Sequence, residues 1–237
     1  MDPKERLIIA LDVDTEAKAI ALVEKLKALV SVFKIGCELF SSCGPGVVRA
    51  VTERGCRVFL DLKFHDIPNT VSKAALSVTK LGIFMFNVHA LGGYDMMKKT
   101  ADSVKAEADR LEIGRPKVIA VTVLTSMDEN ALKKVGISDS MNAEVLRLAS
   151  MAKDAGLDGV VASPQETALL RQKLGGDFLI VTPGVRPSWA AAGDQKRIAT
   201  PQEAIRDGAS FIVVGRPVTE AKDPAETARK ILEEMRS

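Results

Sequence analysis

The sequence predicts a (β/α)8 TIM barrel, an α/β fold built from the whole 237-residue chain. Three observations predict it. Short runs rich in β-branched residues alternate with longer amphipathic stretches, the pattern of parallel strands joined by crossover helices. Eight such runs can be counted. Charged and hydroxyl residues gather at their C-terminal ends, where a barrel of this kind builds its site. The length suits one such barrel and no stretch has the composition of a linker, so a single domain over 1–237 is expected, with an open doubly wound sheet as the runner-up.

The strands in order are LIIALDV (7–13), SVFKIG (31–36), CRVFLDLK (56–63), FMFNVHA (84–90), KVIAVTVL (117–124), GVVASP (159–164), FLIVTPG (178–184) and FIVVGRP (211–217). Helical patterns lie between them at 15–30, 46–55, 94–112, 141–156 and 201–208, several stopping at Gly, and a last one at 224–235 closes the chain.

Composition narrows the partners. An apolar content of 46% supports a large core, and 33 basic against 31 acidic residues argue against a nucleic-acid or membrane surface as the main partner. Any anion site must be local. Cys37, Cys43 and Cys56 are odd in number and lack C-x-x-C spacing, and only His65 and His89 are available to join them. Neither a disulfide framework nor a zinc site follows, and the thiols are expected to be reduced packing residues. The N-terminal MDPKERLIIALDV has no cationic stretch leading into a long apolar segment, and no run approaches a membrane span, so a cytoplasmic location is expected.

The stretch DLKFHDIPNT (61–70) follows the apolar CRVFL directly. Side chains alternate along a strand, so Asp61 and Lys63 share a face, roughly 7 Å apart along the chain, while Leu60 and Leu62 share the other. A solvated surface pair is the usual fate of an isolated D-x-K. Here Val58, Phe59 and Leu60 imply burial on both faces, so the charges emerge at the rim of a core.

Other strand ends carry comparable signals. Asp12 ends the first strand, although DVDT also supplies Asp14 or Thr15 as a helix cap. Lys34, inside the apolar VFKIG, needs a carboxylate partner unless its methylenes carry it to the rim. Thr125 and Ser126 follow the fifth strand, Pro183 to Arg186 the seventh with Gln195 beyond, and Gly215–Arg216 end the eighth. A Gly-Arg pair there matches the place where many barrels hold a phosphate, the alternative being an arginine that merely caps the rim. Alternating carboxylates would keep Lys34 and Lys63 as ammonium ions, making Lys63 a proton donor and disfavouring imine chemistry.

D-L-K-F-H-D-I-P-N-T resembles the signature D-x-K-x-x-D-I-[GP]-x-T of the orotidine 5′-phosphate decarboxylase family at every fixed position. ALDV, FKIG, NVHA, VTVLTS, TPGVRP with Gln195, and VVGRPV extend the resemblance over essentially the whole chain, in its bacterial form. It implies conversion of orotidine monophosphate to uridine monophosphate and carbon dioxide, the last step of de novo pyrimidine synthesis, without metal or organic cofactor. It also implies roles. Lys63 delivers the proton to the ring carbon, flanked by Asp61 and Asp66. Lys34 completes the charged network and contacts the ribose with Asp12. Thr125 contacts the pyrimidine amide, Gln195 bridges phosphate and base, Gly215 and Arg216 grip the phosphate, and Arg186 belongs to the substrate loop, with Gly184 and Gly193 as points of loop flexibility. Asp66 and Thr70 serve the neighbouring subunit's site, which implies a homodimer.

Two rivals remain at this level. Sugar-phosphate lyases of the same superfamily share D-x-K-x-x-D and use magnesium, but place Glu where this chain has Lys34. A catalytically silent barrel that binds phosphate ligands would have lost some of the charges, and all the expected ones are present.

Overall fold

The computed structural model describes residues 2–189 and 199–236. Eight parallel strands close into a barrel: β1 (Leu7–Ala10), β2 (Val32–Gly36), β3 (Arg57–Phe64), β4 (Met85–His89), β5 (Lys117–Val121), β6 (Gly159–Val161), β7 (Leu179–Thr182) and β8 (Phe211–Val214). Pairing of Ile8 with both Val32 and Val213 joins the first strand to the second and to the eighth, which excludes the open sheet. All eight expected strands are present, several of them shorter. β1 stops at Ala10, so Asp12 stands two residues beyond it, and β5 stops at Val121, four residues before Thr125.

Burial on both faces explains the long apolar runs. Ile8, Ala10, Val32, Phe59, Met85, Ile119, Val181, Phe211 and Val213 fill the barrel interior. Their neighbours Leu7, Ile9, Phe33, Val58, Leu60 and Phe86 face outward and pack under the helices. Period-two alternation then decides what stands above this interior layer. One step towards the C-terminal end, Ala10 gives way to Asp12, Val32 to Lys34, Phe59 to Asp61, Met85 to Asn87 and Val213 to Gly215. A polar storey is thereby stacked on an apolar one.

The helices follow local signals. Thr15, not Asp14, caps the helix Glu16–Leu26, while Asp14 pairs with Lys18 on its first turn. Pro68 opens the helix Pro68–Thr79 inside the DIPNT stretch, where its missing N–H costs nothing and its fixed φ suits the first turn. Thr200 and Glu203 cap the helix Pro201–Arg206 reciprocally. All three cysteines are free; Cys56 is buried in the core and the partly buried Cys43 packs against it, whereas Cys37, just past the end of β2, is exposed, which corrects the expectation for it. Among the described residues no helix is long and apolar enough to cross a membrane.

Candidate active site

Four charges alternate across the barrel mouth. Lys34 Nζ lies 3.0 Å from Asp12 Oδ1 and 3.4 Å from Asp61 Oδ2, and Lys63 Nζ donates to Asp61 Oδ1 at 2.7 Å. Lys34 is buried and the Asp61 side chain is only 13% exposed. Burial alone would push the Lys34 ammonium towards neutrality, yet Asp61 and Asp12 outweigh it and raise its pKa above the ordinary lysine value. Burial likewise opposes ionisation of Asp61, and Lys34, Lys63 and the Asn87 amide overcome it, so its pKa falls below the usual carboxylate range. The solvated surface pair and the snorkelling lysine are both excluded by this geometry.

Two glycines make room for the charges. A Cβ on Gly36 would stand 3.0 Å from Lys34 Nζ, and one on Gly215 would stand 3.2 Å from Asp12 Oδ2. A glycine thus ends β2 beside the buried Lys34 ammonium, and another follows β8 directly beside the Asp12 carboxylate.

Lys63 departs from the plain strand the sequence suggests. Its φ is 52°, in the left-handed region that β-carbon sterics disfavour by roughly 1–2 kcal/mol. The β3–β4 pairing shifts register between Leu60 and Phe64, so the chain bulges where the lysine emerges. Asn87, at the polar level of β4, spans the irregularity: its Oδ1 accepts the Lys63 N–H at 2.7 Å and its Nδ2 donates to Asp61 Oδ1 at 2.7 Å. Asn87 was not singled out from the sequence. The signal was the alternation of FMFNVHA, which sets it on the face of Met85.

The mouth holds two adjacent cavities with lining residues in common. One is lined by Phe59, Val161, Val181 and Val213 together with Lys63, Asp61 and Thr125, an apolar slot with a cation at one side and a hydroxyl residue at its rim. The other is lined by Asp12, Gly184, Arg186, Gly215 and Arg216. Lys34, Pro183 and Val213 belong to both. Arg186 has its pKa lowered by partial burial and then by Arg216, two guanidinium groups close enough to repel and so suited to share an anion. The N–H of Arg186 donates to Ala199 O at 2.9 Å and Val185 bridges Ala199, which joins the two ends of the loop after β7. Gly184 has a φ of 77°.

The remaining candidates lie elsewhere. Ser126 is exposed and lines neither part of the cavity. Asp66 is exposed and accepts from the N–H of Ile67, and among the described residues no ion pair joins it to Lys63, so within one chain Lys63 has one carboxylate neighbour and not two. Thr70 is likewise exposed, in the first turn of its helix. Gln195 and Gly193 lie outside the described residues.

Comparison with known proteins agrees with this assembly. Residues 5–231 match the family model described as "Orotidine 5'-phosphate decarboxylase / HUMPS family". The chain belongs to this family. An orotidine 5′-phosphate decarboxylase from Syntrophotalea carbinolica is 52% identical over 235 residues, covering 99% of this chain and 96% of that protein. One from Moorella thermoacetica is 51% identical over 236 residues, covering 99% and 94%. The crystal structure of the orotidine 5′-phosphate decarboxylase from Lactobacillus acidophilus superposes with a TM-score of 0.86 at 41% identity, covering 98% of this chain and all of that one. Membership in the decarboxylase family makes the chain a carboxy-lyase, and the barrel is the fold of its relatives.

Proposed function

We propose that this protein decarboxylates orotidine 5′-monophosphate to uridine 5′-monophosphate and carbon dioxide, with Lys63 as the proton donor. The observation that carries the proposal is the shape and sequence of chemistry along the cavity. An apolar slot holds Lys63 and Asp61, shares Lys34 with the neighbouring part of the cavity, where Asp12 pairs with it, and that part carries two arginines. That order fits base, ribose and phosphate of a 5′-nucleotide.

The chemistry required is stabilisation of negative charge on a ring carbon that has no electron sink. An ammonium already oriented by Asp61 meets the developing charge without reorganisation, which is the form of electrostatic catalysis with the largest effect. The carboxylate leaves as carbon dioxide, its bonding pair stays on the ring carbon, and a Lys63 proton fills the position. Asp12 and Lys34 would hold the ribose, Thr125 the pyrimidine amide, and Gly215, Arg216 and Arg186 the phosphate, with Pro183 lining both parts of the cavity; Gln195 would bridge phosphate and base, as the family resemblance implies. Binding gathered at the phosphate can offset loop ordering and dehydration at the base, so phosphate contacts act on turnover as well as affinity.

The proposal extends to a homodimer in which Asp66 and Thr70 complete the partner's site. Its support is the surface around them: Ile67, Leu91, Leu124 and Val135 are exposed apolar residues, three of them grouped with the stacked His65 and His89 rings in one concavity. A second copy covering that face would remove it from water.

Adding orotidine monophosphate to metal-free protein in the presence of chelator and following the loss of its ultraviolet absorbance tests the activity. Full turnover is expected. Inactivity relieved by magnesium would point instead to the sugar-phosphate lyase chemistry, against which Lys34 already argues, because its ammonium stands where those relatives offer a carboxylate to the metal.

A further inference from the structure

We propose that Asn87 is the positioning residue for proton delivery, a clamp that holds Lys63 in its left-handed turn and its ammonium against Asp61. The inference rests on Lys63 being the donor. Three contacts form a closed ring. The Lys63 N–H donates to Asn87 Oδ1, Asn87 Nδ2 donates to Asp61 Oδ1, and the same Asp61 oxygen receives Lys63 Nζ, each at 2.7 Å. One amide thus fixes the backbone of the lysine and the acceptor of its head group together.

The need for a clamp follows from the backbone. The β3–β4 register shifts between Leu60 and Phe64, so the ladder does not run evenly past the lysine, and Lys63 sits at a φ of 52° that a non-glycine residue holds only when its surroundings over-determine it. Asn87 supplies that constraint from a rigid position. It is 1% exposed and sits within β4, where it lies opposite Ile119 of β5. Its orientation is unambiguous, because a backbone N–H only donates and an ionised carboxylate only accepts.

Only an amide of this length fills both roles. Alanine provides neither partner. Aspartate keeps the acceptor for the Lys63 N–H but loses the donor and brings a second carboxylate against Asp61. Two carboxylates so close do not both ionise readily, and the first proton taken up restores both the missing donor and the native charge. Asn87→Asp should therefore regain function as pH falls, which a merely structural residue would not show.

The test compares wild type, Asn87→Ala and Asn87→Asp with orotidine monophosphate between pH 5.5 and 8, after thermal melts have established that each variant is folded. Asn87→Ala is expected to lose about 100-fold or more in kcat with KM within about threefold of wild type, because the phosphate and ribose contacts are untouched. The kcat of Asn87→Asp relative to wild type should rise at least about tenfold from pH 8 to pH 5.5. A folded Asn87→Ala with kcat within threefold of wild type, a rise in KM proportional to the loss in kcat, or a pH-independent Asn87→Asp ratio would each overturn the clamp. Should Asn87→Ala not fold, the Asn87→Asp ratio decides alone. Wild-type protein inactive on orotidine monophosphate would remove the proposed function and leave the clamp to a second measurement, amide hydrogen exchange at Lys63. Exchange is expected at least about tenfold faster in Asn87→Ala than in wild type, and equal rates would overturn it.

Discussion

The two ends of the barrel handle cations in opposite ways. At the N-terminal end Arg171 donates to the carbonyls of Gly175, Gly176, Phe178 and Gly208 and to Ser210 Oγ, and Arg6 donates to the carbonyls of Ala209 and Ser210. Arg115 and Lys117 converge on Asp158, whose carboxylate also accepts the Val118 N–H, and the Arg57 guanidinium lies 4.5 Å from the centre of the Phe84 ring. These groups tie loops to strands. At the C-terminal end Lys34 and Lys63 pair with carboxylates and still line an open cavity. An ammonium has three donors, and Lys63 directs one to Asp61. The contrast teaches where to look for chemistry: a cation enclosed by backbone carbonyls supports the frame, whereas one braced by carboxylates beside empty volume is kept charged and available.

Lys63→Ala is the severest test of that contrast. It should lower decarboxylation by many orders of magnitude while uridine monophosphate, which needs no proton, still binds. A loss under about tenfold, ~1.4 kcal/mol of barrier, would show that the braced cation is not the donor. Arg216→Ala should come next, with kcat/KM for orotidine monophosphate down by about 100-fold and the poor reaction of unphosphorylated orotidine almost unchanged. Equal losses on the two substrates would return Arg216 to the framework class.

A mixing experiment sharpens the comparison for Asp66, whose carboxylate, among the described residues, accepts from the Ile67 N–H and pairs with no cation. Inactive Asp66→Asn and Lys63→Ala proteins, allowed to exchange subunits, should recover up to about a quarter of wild-type activity, since each mixed dimer holds one site with both native residues. If exchange is demonstrated and activity stays at the level of the separate mutants, Asp66 serves its own chain. The smallest effect on catalysis is expected at the opposite end: Arg171→Met should cost about 2–3 kcal/mol of stability through its orphaned carbonyls. Measured by denaturant titration beside an activity assay, it should leave kcat of the folded enzyme within about twofold. A collapse of kcat with stability intact would erase the division between the ends.

Much of the site was legible because alternation works over short distances. Asp12, Lys34, Asp61 and Gly215 each follow an inward apolar residue by two positions, so the pattern that identified the strands also aimed these residues into the mouth. Arg186 and Arg216 were legible from their places after the last two strands, and they line one pocket. Ser126 shows the limit: following a strand does not make a residue face the cavity, because the chain turns after Val121 and Thr125 alone reaches the slot.

The sequence by itself determined the number of strands, their parallel order and the charges at their ends, because two-residue periodicity and helix caps are local and need no knowledge of neighbours. Only the tertiary structure decided that Asn87 would meet Lys63 and Asp61, that the lysine would adopt a left-handed backbone, and that the two cavities would share Lys34, Pro183 and Val213. Those outcomes depend on how adjacent strands register and on where that register breaks. A register is set by contacts between segments distant in sequence, so no stretch read alone contains it.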